Sequence, residues 1–204
     1  MSKQVISPNK SYTFHDYFKL RASTEDVLRY FGYEKHSARL EPPRASRQIP
    51  TLEGLHAQLE EVFLHISLEN EITRREFLIA PIMSTVRRLT DSKLRSEYWF
   101  EFNHQLKGSL GYLLRRDRNL VVVEAKNADL ARGFTQLAVQ MVALDKAEET
   151  AQKTIYGAVT SGGVWQFGEL NRERKIVTQD IVTFDLLKEL DDLIRILIGV
   201  LEQQ

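Results

Sequence analysis

The spacing of apolar residues changes from helical to strand-like near the middle of the chain. Over residues 52–89 apolar positions recur at helical spacing and predict one long helix or two consecutive helices, with Pro81 bending the second or starting a new turn. Three short segments rich in β-branched and aromatic residues then predict strands at 96–103, 108–114 and 119–125.

The second half of the chain repeats this alternation. A helical pattern is followed by three strand patterns and then by an amphipathic helix, at 128–146, 154–160, 163–170, 175–184 and 185–201. Helices that alternate with groups of strands predict an α/β or α+β fold, in which a central mixed sheet is flanked by helices. We expect a single globular domain overall.

A proline-rich segment at 41–50, EPPRASRQIP, separates a small N-terminal piece from this body. Upstream, residues 12–20 are aromatic and partly alternating, and a helix is predicted from Ser23 to a stop at Gly32. We therefore expect residues 1–50 to form a helical and extended N-terminal extension that packs on the core, and residues 51–204 to form the main domain.

The last helix is apolar nearly all the way round, which predicts burial on two sides. Either the N-terminal piece covers the second side or a second subunit does, so a homodimer through this helix is one expectation.

Composition narrows the functional classes. Lys and Arg number 28 and Asp and Glu also number 28, so the chain is not a polycation, and the absence of Cys excludes disulfides, thiolate nucleophiles and Cys-based metal sites. The start of the chain lacks the apolar core of a signal peptide, and no stretch is apolar enough for a membrane span. These features predict a cytoplasmic protein without a membrane partner.

Candidate chemistry lies at the end of the strand 119–125. Glu124 and Lys126 alternate with Ala125, so in an extended strand they project to the same face about 7 Å apart. A carboxylate there can hold a hard divalent cation, and an ammonium beside it can orient a water molecule or neutralise charge on a phosphate. Taken alone, the same tripeptide is also typical of a strand end that reaches solvent.

Five segments across residues 70–170 give this tripeptide a context. They are NEITRREFLIAP at 70–81, KGSLGY at 107–112, VEAK at 123–126, GFTQL at 133–137 and YGAVTSGGVWQF at 156–167. In order and spacing the set resembles the PD-(D/E)XK, or restriction-endonuclease-like, nuclease superfamily, and in particular the nuclease domain of type I restriction enzyme R subunits. The resemblance implies a restriction-endonuclease-like core and a Mg²⁺-dependent phosphodiesterase site.

Carried over residue by residue, the resemblance implies that Glu124 and Glu71 are metal ligands, that Lys126 assists the attacking water, and that Gln136 is a nearby polar residue of the site. The chain departs from the family at Gly111, which stands where the G-x-x-D-Y pattern has a metal-binding aspartate. Because glycine supplies no side-chain oxygen and no charge, metal affinity and rate should both fall steeply. A relocated acid is the alternative. Of the acids nearby, Asp117 is badly placed at the far turn, Asp129 is expected to cap the next helix, and Glu97 lies on the preceding strand at an unknown register.

Three functional hypotheses follow. The first is a nuclease-like protein with a degraded metal site that binds nucleic acid, DNA in the first instance, or formerly cleaved it. The second is an active Mg²⁺-dependent endonuclease with a relocated ligand. The third is a non-catalytic regulatory or protein-interaction module on the nuclease fold.

Two further features bear on a phosphate-bearing partner. The balanced total hides opposed segments, because residues 72–95 carry a net charge of +4 and residues 105–135 carry +3, which predicts a local and modest electrostatic contact. Trp165 and Tyr156 could stack on bases, although aromatic residues of a hairpin are more often packed across strands.

Overall fold

The computed structural model describes residues 5–117, 119–125, 129–147 and 152–203. Seven strands form one mixed sheet in the order β1-β7-β6-β5-β4-β3-β2, in which β1 pairs parallel with β7, β4 pairs parallel with β5, and the other neighbours are antiparallel. The strands are β1 (Glu34–Ala38), β2 (Lys93–Asn103), β3 (Leu106–Arg116), β4 (Asn119–Ala125), β5 (Thr154–Thr160), β6 (Val164–Asn171) and β7 (Ile176–Asp185). The predicted α/β class with helices around a mixed sheet is confirmed.

Helices cover both faces of this sheet. They are α1 (Phe14–Lys19), α2 (Thr24–Tyr30), α3 (Glu53–His65), α4 (Glu71–Arg74), α5 (Ala80–Thr90), α6 (Leu130–Lys146) and α7 (Leu190–Leu201). One core, here called the α5/α7 core, contains apolar side chains of α3, α5 and α7. A second core on the opposite face, the α1/α2/α6 core, contains those of α1, α2 and α6. Within the described residues, no helix has the length and apolar character needed to cross a membrane.

A π-helical segment, Arg75–Ile79, joins α4 to α5. Pro81 lies in the first turn of α5, but the residues before it are helical as well, so residues 71–90 form one continuous helical run. Pro81 therefore does not begin a separate helix, and the π-helical segment directly precedes α5. The wider π turn just before it sets the direction in which Arg75 projects, and such turns are frequent at functional sites.

The second side of α7 is covered by the chain itself. The Ala45 N–H donates to the carbonyl of Arg195 at 2.9 Å, and the Pro43 carbonyl lies so close to Gly199 that a Cβ atom there would be 2.4 Å from its oxygen. Arg44 and Arg47 add ion pairs with Asp192 and Glu202. Residues 43–47 therefore account for the two-sided burial that raised the expectation of a dimer, and the described surface of α7 offers no apolar face for a second copy.

The regular alternation of β2 breaks at Glu97. Leu94 packs against the α5/α7 core, whereas Tyr98 and Phe100, an even number of residues further on, belong to the α1/α2/α6 core. Glu97 adopts a left-handed backbone conformation with φ of 48°, which is rare for a residue with a side chain. Strands β2 and β3 form an antiparallel hairpin at one edge of the sheet, the edge hairpin. The irregularity at Glu97 exchanges the two faces of this hairpin at the point where β2 lies beside Gly111 of β3.

Candidate functional site

A cavity of about 300 Å³ opens at the end of β4, between the edge hairpin, the start of α4 and α6. It is lined by side chains or backbone of Thr13, His15, Glu71, Arg75, Glu97, Trp99, Gly108, Ser109, Gly111, Glu124 and Gln136. The sequence-predicted residues Glu71, Glu124 and Gln136 therefore lie around one cavity together with Gly111. Lys126 lies outside the described residues.

Glu124 forms the inner wall of the cavity. It is 5% exposed, and its Oε2 accepts a hydrogen bond of 2.6 Å from Nε2 of Gln140 on α6. The strand that carries it is apolar on both sides because it pairs with β3 and β5 in the middle of the sheet. A carboxylate held here by a central strand and a buried amide has little freedom to move.

Gly111 lies directly beside this carboxylate. A Cβ atom at position 111 would be 3.5 Å from Glu124 Oε2 and 2.9 Å from the backbone carbonyl oxygen of Val123. The first distance means that a side chain at 111 would point at Glu124. The second means that the two strands approach too closely for any side chain without a shift of backbone.

Gln136 approaches the cavity from α6, which Asp129 caps by accepting a hydrogen bond from Arg132 N–H. The side chain is 3% exposed, and its Oε1 is a buried acceptor without a hydrogen-bond partner. A buried carbonyl oxygen without a donor costs free energy, which a bound cation, water molecule or ligand donor would offset.

Glu71 is the first residue of α4, and Asn70 caps the helix by accepting from the Thr73 N–H at 2.8 Å. This start places the Glu71 side chain, which is half-buried, on the cavity wall opposite the strands. The motif 70–81 thus contributes both an acid and, one helical turn later, Arg75.

Arg75 and Glu97 were not identified as partners from the sequence. The Arg75 guanidinium forms an ion pair with the Glu97 carboxylate and lies 5.2 Å from the centroid of the Tyr112 ring. Burial alone would lower the pKa of Arg75, but hydrogen bonds with Glu97 and Tyr112 outweigh it and raise that pKa above its ordinary value. In the register of the edge hairpin, Glu97 lies between the pairs Ser96↔Tyr112 and Tyr98↔Leu110, and therefore opposite Gly111.

The N-terminal extension completes the cavity. Thr13 forms an isolated parallel bridge with Lys107, and the backbone of Phe14 lies against Gly108, whose φ is 134° and whose Cβ would be 3.0 Å from Phe14 N. Thr13 and His15 reach the cavity from this contact. Sequence reasoning treated these residues as part of a packed extension, and no motif marked them.

The oxygen atoms around the cavity are of the kind that Mg²⁺ prefers. Among the residues that the structure describes, however, no group of three or more His, Cys, Asp or Glu side chains is placed to hold a metal ion. Glu124 and Glu71 contribute carboxylate oxygens to the wall of the cavity.

The aromatic residues suggested for base stacking lie elsewhere. Trp165 is fully buried and its indole N–H donates to the Gly162 carbonyl at 3.0 Å, and Tyr156 is also buried. Both are packing residues in the α5/α7 core. Trp99, which is exposed at the cavity, was not singled out from the sequence.

Comparison with protein-family models gives no match for this chain, and comparison with curated proteins gives none either.

Proposed function

We propose that the chain is a nuclease-like protein with a degraded metal site, which binds nucleic acid with little or no cleavage of phosphodiesters. The observation that carries the proposal is the convergence of Glu71, Glu124 and Gln136 on one cavity around Gly111. These residues are separated by up to 65 positions in the sequence, and only the resemblance to PD-(D/E)XK nucleases predicted that they would meet.

The state of the site supports the absence of efficient cleavage. Metal-assisted phosphodiester hydrolysis requires a fixed set of oxygen ligands. The glycine at 111 removes one ligand and one negative charge, and a side chain at that position would require the backbone near the Val123 carbonyl to shift.

Basic residues at the outer end of the edge hairpin support a phosphate-bearing partner. Lys93 and Arg115 lie directly opposite each other at the outer end of the edge hairpin, and Arg95 follows on β2 around the same small pocket. These cations can contact a phosphate group, and this end lies four residues, or about 13 Å along the strand, from Glu97.

Oligonucleotide binding tests the proposal. Fluorescence anisotropy with labelled single-stranded and duplex DNA and RNA should give binding that weakens as salt is raised. Lys93→Gln should weaken binding for all sequences and reduce the salt slope by about 1. Lys188→Gln, which removes an exposed cation outside the hairpin, is the matched control and should leave the slope unchanged. Absence of binding even at low salt would refute the proposal and favour a protein-interaction module.

A second candidate is an active endonuclease in which Glu97 replaces the missing acid. It is favoured by the position of Glu97 opposite Gly111, on the same cavity and in a strained backbone conformation, because such strain clusters at active sites. Against it, the Glu97 carboxylate is already paired with Arg75. Mg²⁺-dependent cleavage that Glu97→Gln abolishes would select this candidate.

A further inference from the structure

Trp99 is a large aromatic side chain left open at the mouth of the cavity. It is 55% exposed and lines the same cavity as Glu71, Glu124 and Gln136. Because adjacent residues of a strand point to opposite faces, Trp99 lies on the face opposite its neighbours Tyr98 and Phe100, which pack into the α1/α2/α6 core. An exposed indole beside a polar cavity is suited to stack on a flat ring of a ligand.

The described walls of the cavity are rich in hydrogen-bond acceptors. The described residues contribute three carboxylates, those of Glu71, Glu97 and Glu124, against one guanidinium, that of Arg75. The buried Gln136 Oε1 adds an acceptor that has no donor. An amino group, which presents two N–H donors, is suited to bind to this set of acceptors.

The size of the cavity restricts the ligand further. About 300 Å³ lies at the lower end of the range of small-molecule pockets and is far too small for a duplex. Nucleobases that are turned out of a strand are held in such pockets, stacked on an aromatic side chain and hydrogen-bonded along one edge.

We propose that this cavity binds one unpaired, amino-bearing nucleobase, which stacks on Trp99 and donates hydrogen bonds to the oxygens of Glu124 and Gln136. The proposal rests on the proposed function, because the base belongs to a nucleic-acid strand whose phosphates contact the basic end of the edge hairpin. The chemical class is thus single-stranded or locally unpaired nucleic acid that presents cytosine, adenine or guanine. Thymine and uracil, which have no amino group, bind less well.

The test compares oligo(dT) strands that differ only at a central position, which is thymine, cytosine, adenine or an abasic site. Anisotropy should show that the cytosine or adenine strand binds about 5- to 100-fold tighter than the all-thymine strand. Trp99→Ala should weaken binding of the amino-bearing strands about 5- to 100-fold, and Trp99→Phe should retain most of it. Binding should also quench the fluorescence of Trp99, since Trp165 is sealed in the core.

Phe102→Ala provides the matched control, because Phe102 is an exposed aromatic residue of the same strand that does not line the cavity. It should bind every strand as the native chain does. If all strands bind equally, or if Trp99→Ala changes nothing, the base pocket is refuted while the proposed function stands. If no strand binds, the proposed function fails and the pocket fails with it.

Discussion

A Cβ atom at position 111 would lie 3.5 Å from the buried carboxylate of Glu124. The glycine that departs from the nuclease pattern therefore faces the very acid that the pattern pairs with it. The same Cβ would lie 2.9 Å from the Val123 carbonyl oxygen, so a side chain at 111 requires the backbone to shift. The glycine at 111 and the close approach of β3 to β4 are therefore linked in this structure.

Two substitutions at Gly111 separate the steric effect from the chemical one. Gly111→Ala should destabilise the fold by about 1–3 kcal/mol, because the added methyl group has to displace backbone. Gly111→Asp should carry a similar cost and should also create a Mn²⁺ site next to Glu124. We expect calorimetry to detect Mn²⁺ binding, and Mn²⁺ to raise the Tm, for Gly111→Asp alone.

Gly111→Ala and the double variant Gly111→Asp/Glu124→Ala are the controls for this experiment. Neither should gain Mn²⁺ affinity. A folded Gly111→Asp protein without such a gain would show that position 111 does not face a latent metal site.

The buried amide of Gln140 is expected to stabilise Glu124. Replacing Gln140 by Met keeps the volume but removes the 2.6 Å hydrogen bond to the Glu124 carboxylate, which is worth about 1.5–3 kcal/mol. It also removes the buried Oε1 of Gln140, which has no partner, so we expect a net loss near the lower end of that range in urea unfolding. Gln136→Met, one helical turn away, removes a buried acceptor that has no partner, and should be neutral or stabilising. Equal losses of unfolding free energy in the two variants would contradict the stabilising role assigned to the hydrogen bond between Gln140 and Glu124.

Much of the fold follows from periodicity, whereas the site does not. The six strands β2 to β7 and helices α6 and α7 are close to the predicted ranges because their apolar, β-branched and aromatic residues mark them in the sequence. Strand β1, EKHSA, was missed because an edge strand with polar, mostly exposed residues has no apolar alternation to detect. The pattern of α7 predicted two-sided burial but could not specify that residues 43–47 supply the second side.

The candidate site was accessible only through the ordered motifs. They place Glu71, Glu124 and Gln136 together, but they say nothing of Glu97, Arg75 or Trp99. These three depend on the left-handed backbone of Glu97 and on the π turn before Pro81, and single-sequence patterns do not encode either feature.

Asp145 should make stability depend on acid pH. Burial would raise its pKa, but hydrogen bonds from Lys175, Tyr33 and Arg172 outweigh that effect and hold the pKa below its ordinary value. A carboxyl group with a lowered folded-state pKa stabilises the fold above its unfolded pKa of about 3.9, and the contribution is lost as pH falls through the lower folded value. Asp145→Asn should lose about 1.5–3 kcal/mol at pH 7 and progressively less below about pH 4.

Glu169 provides a control, because its pKa is shifted in the direction opposite to that of Asp145. Burial and the charge of Asp180 raise its pKa, so its ionised form costs stability near neutral pH. Glu169→Gln should therefore gain stability at pH 7, and the gain should shrink as pH falls towards the unfolded pKa of about 4.3. Urea unfolding of Asp145→Asn and Glu169→Gln between pH 3 and 7 checks both predictions. If the stabilities of the two variants relative to the native chain changed with pH in the same direction, the opposite pKa shifts of the two carboxyl groups would be contradicted.

Plasmid nicking tests the central claim most directly. The native chain and Glu124→Ala are incubated with supercoiled DNA in Mg²⁺ or Mn²⁺, and the loss of supercoiled form is compared. A degraded metal site predicts that both proteins leave the plasmid intact at the same low background. Metal-dependent nicking by the native chain that Glu124→Ala abolishes would contradict the account and show that the site is a working nuclease.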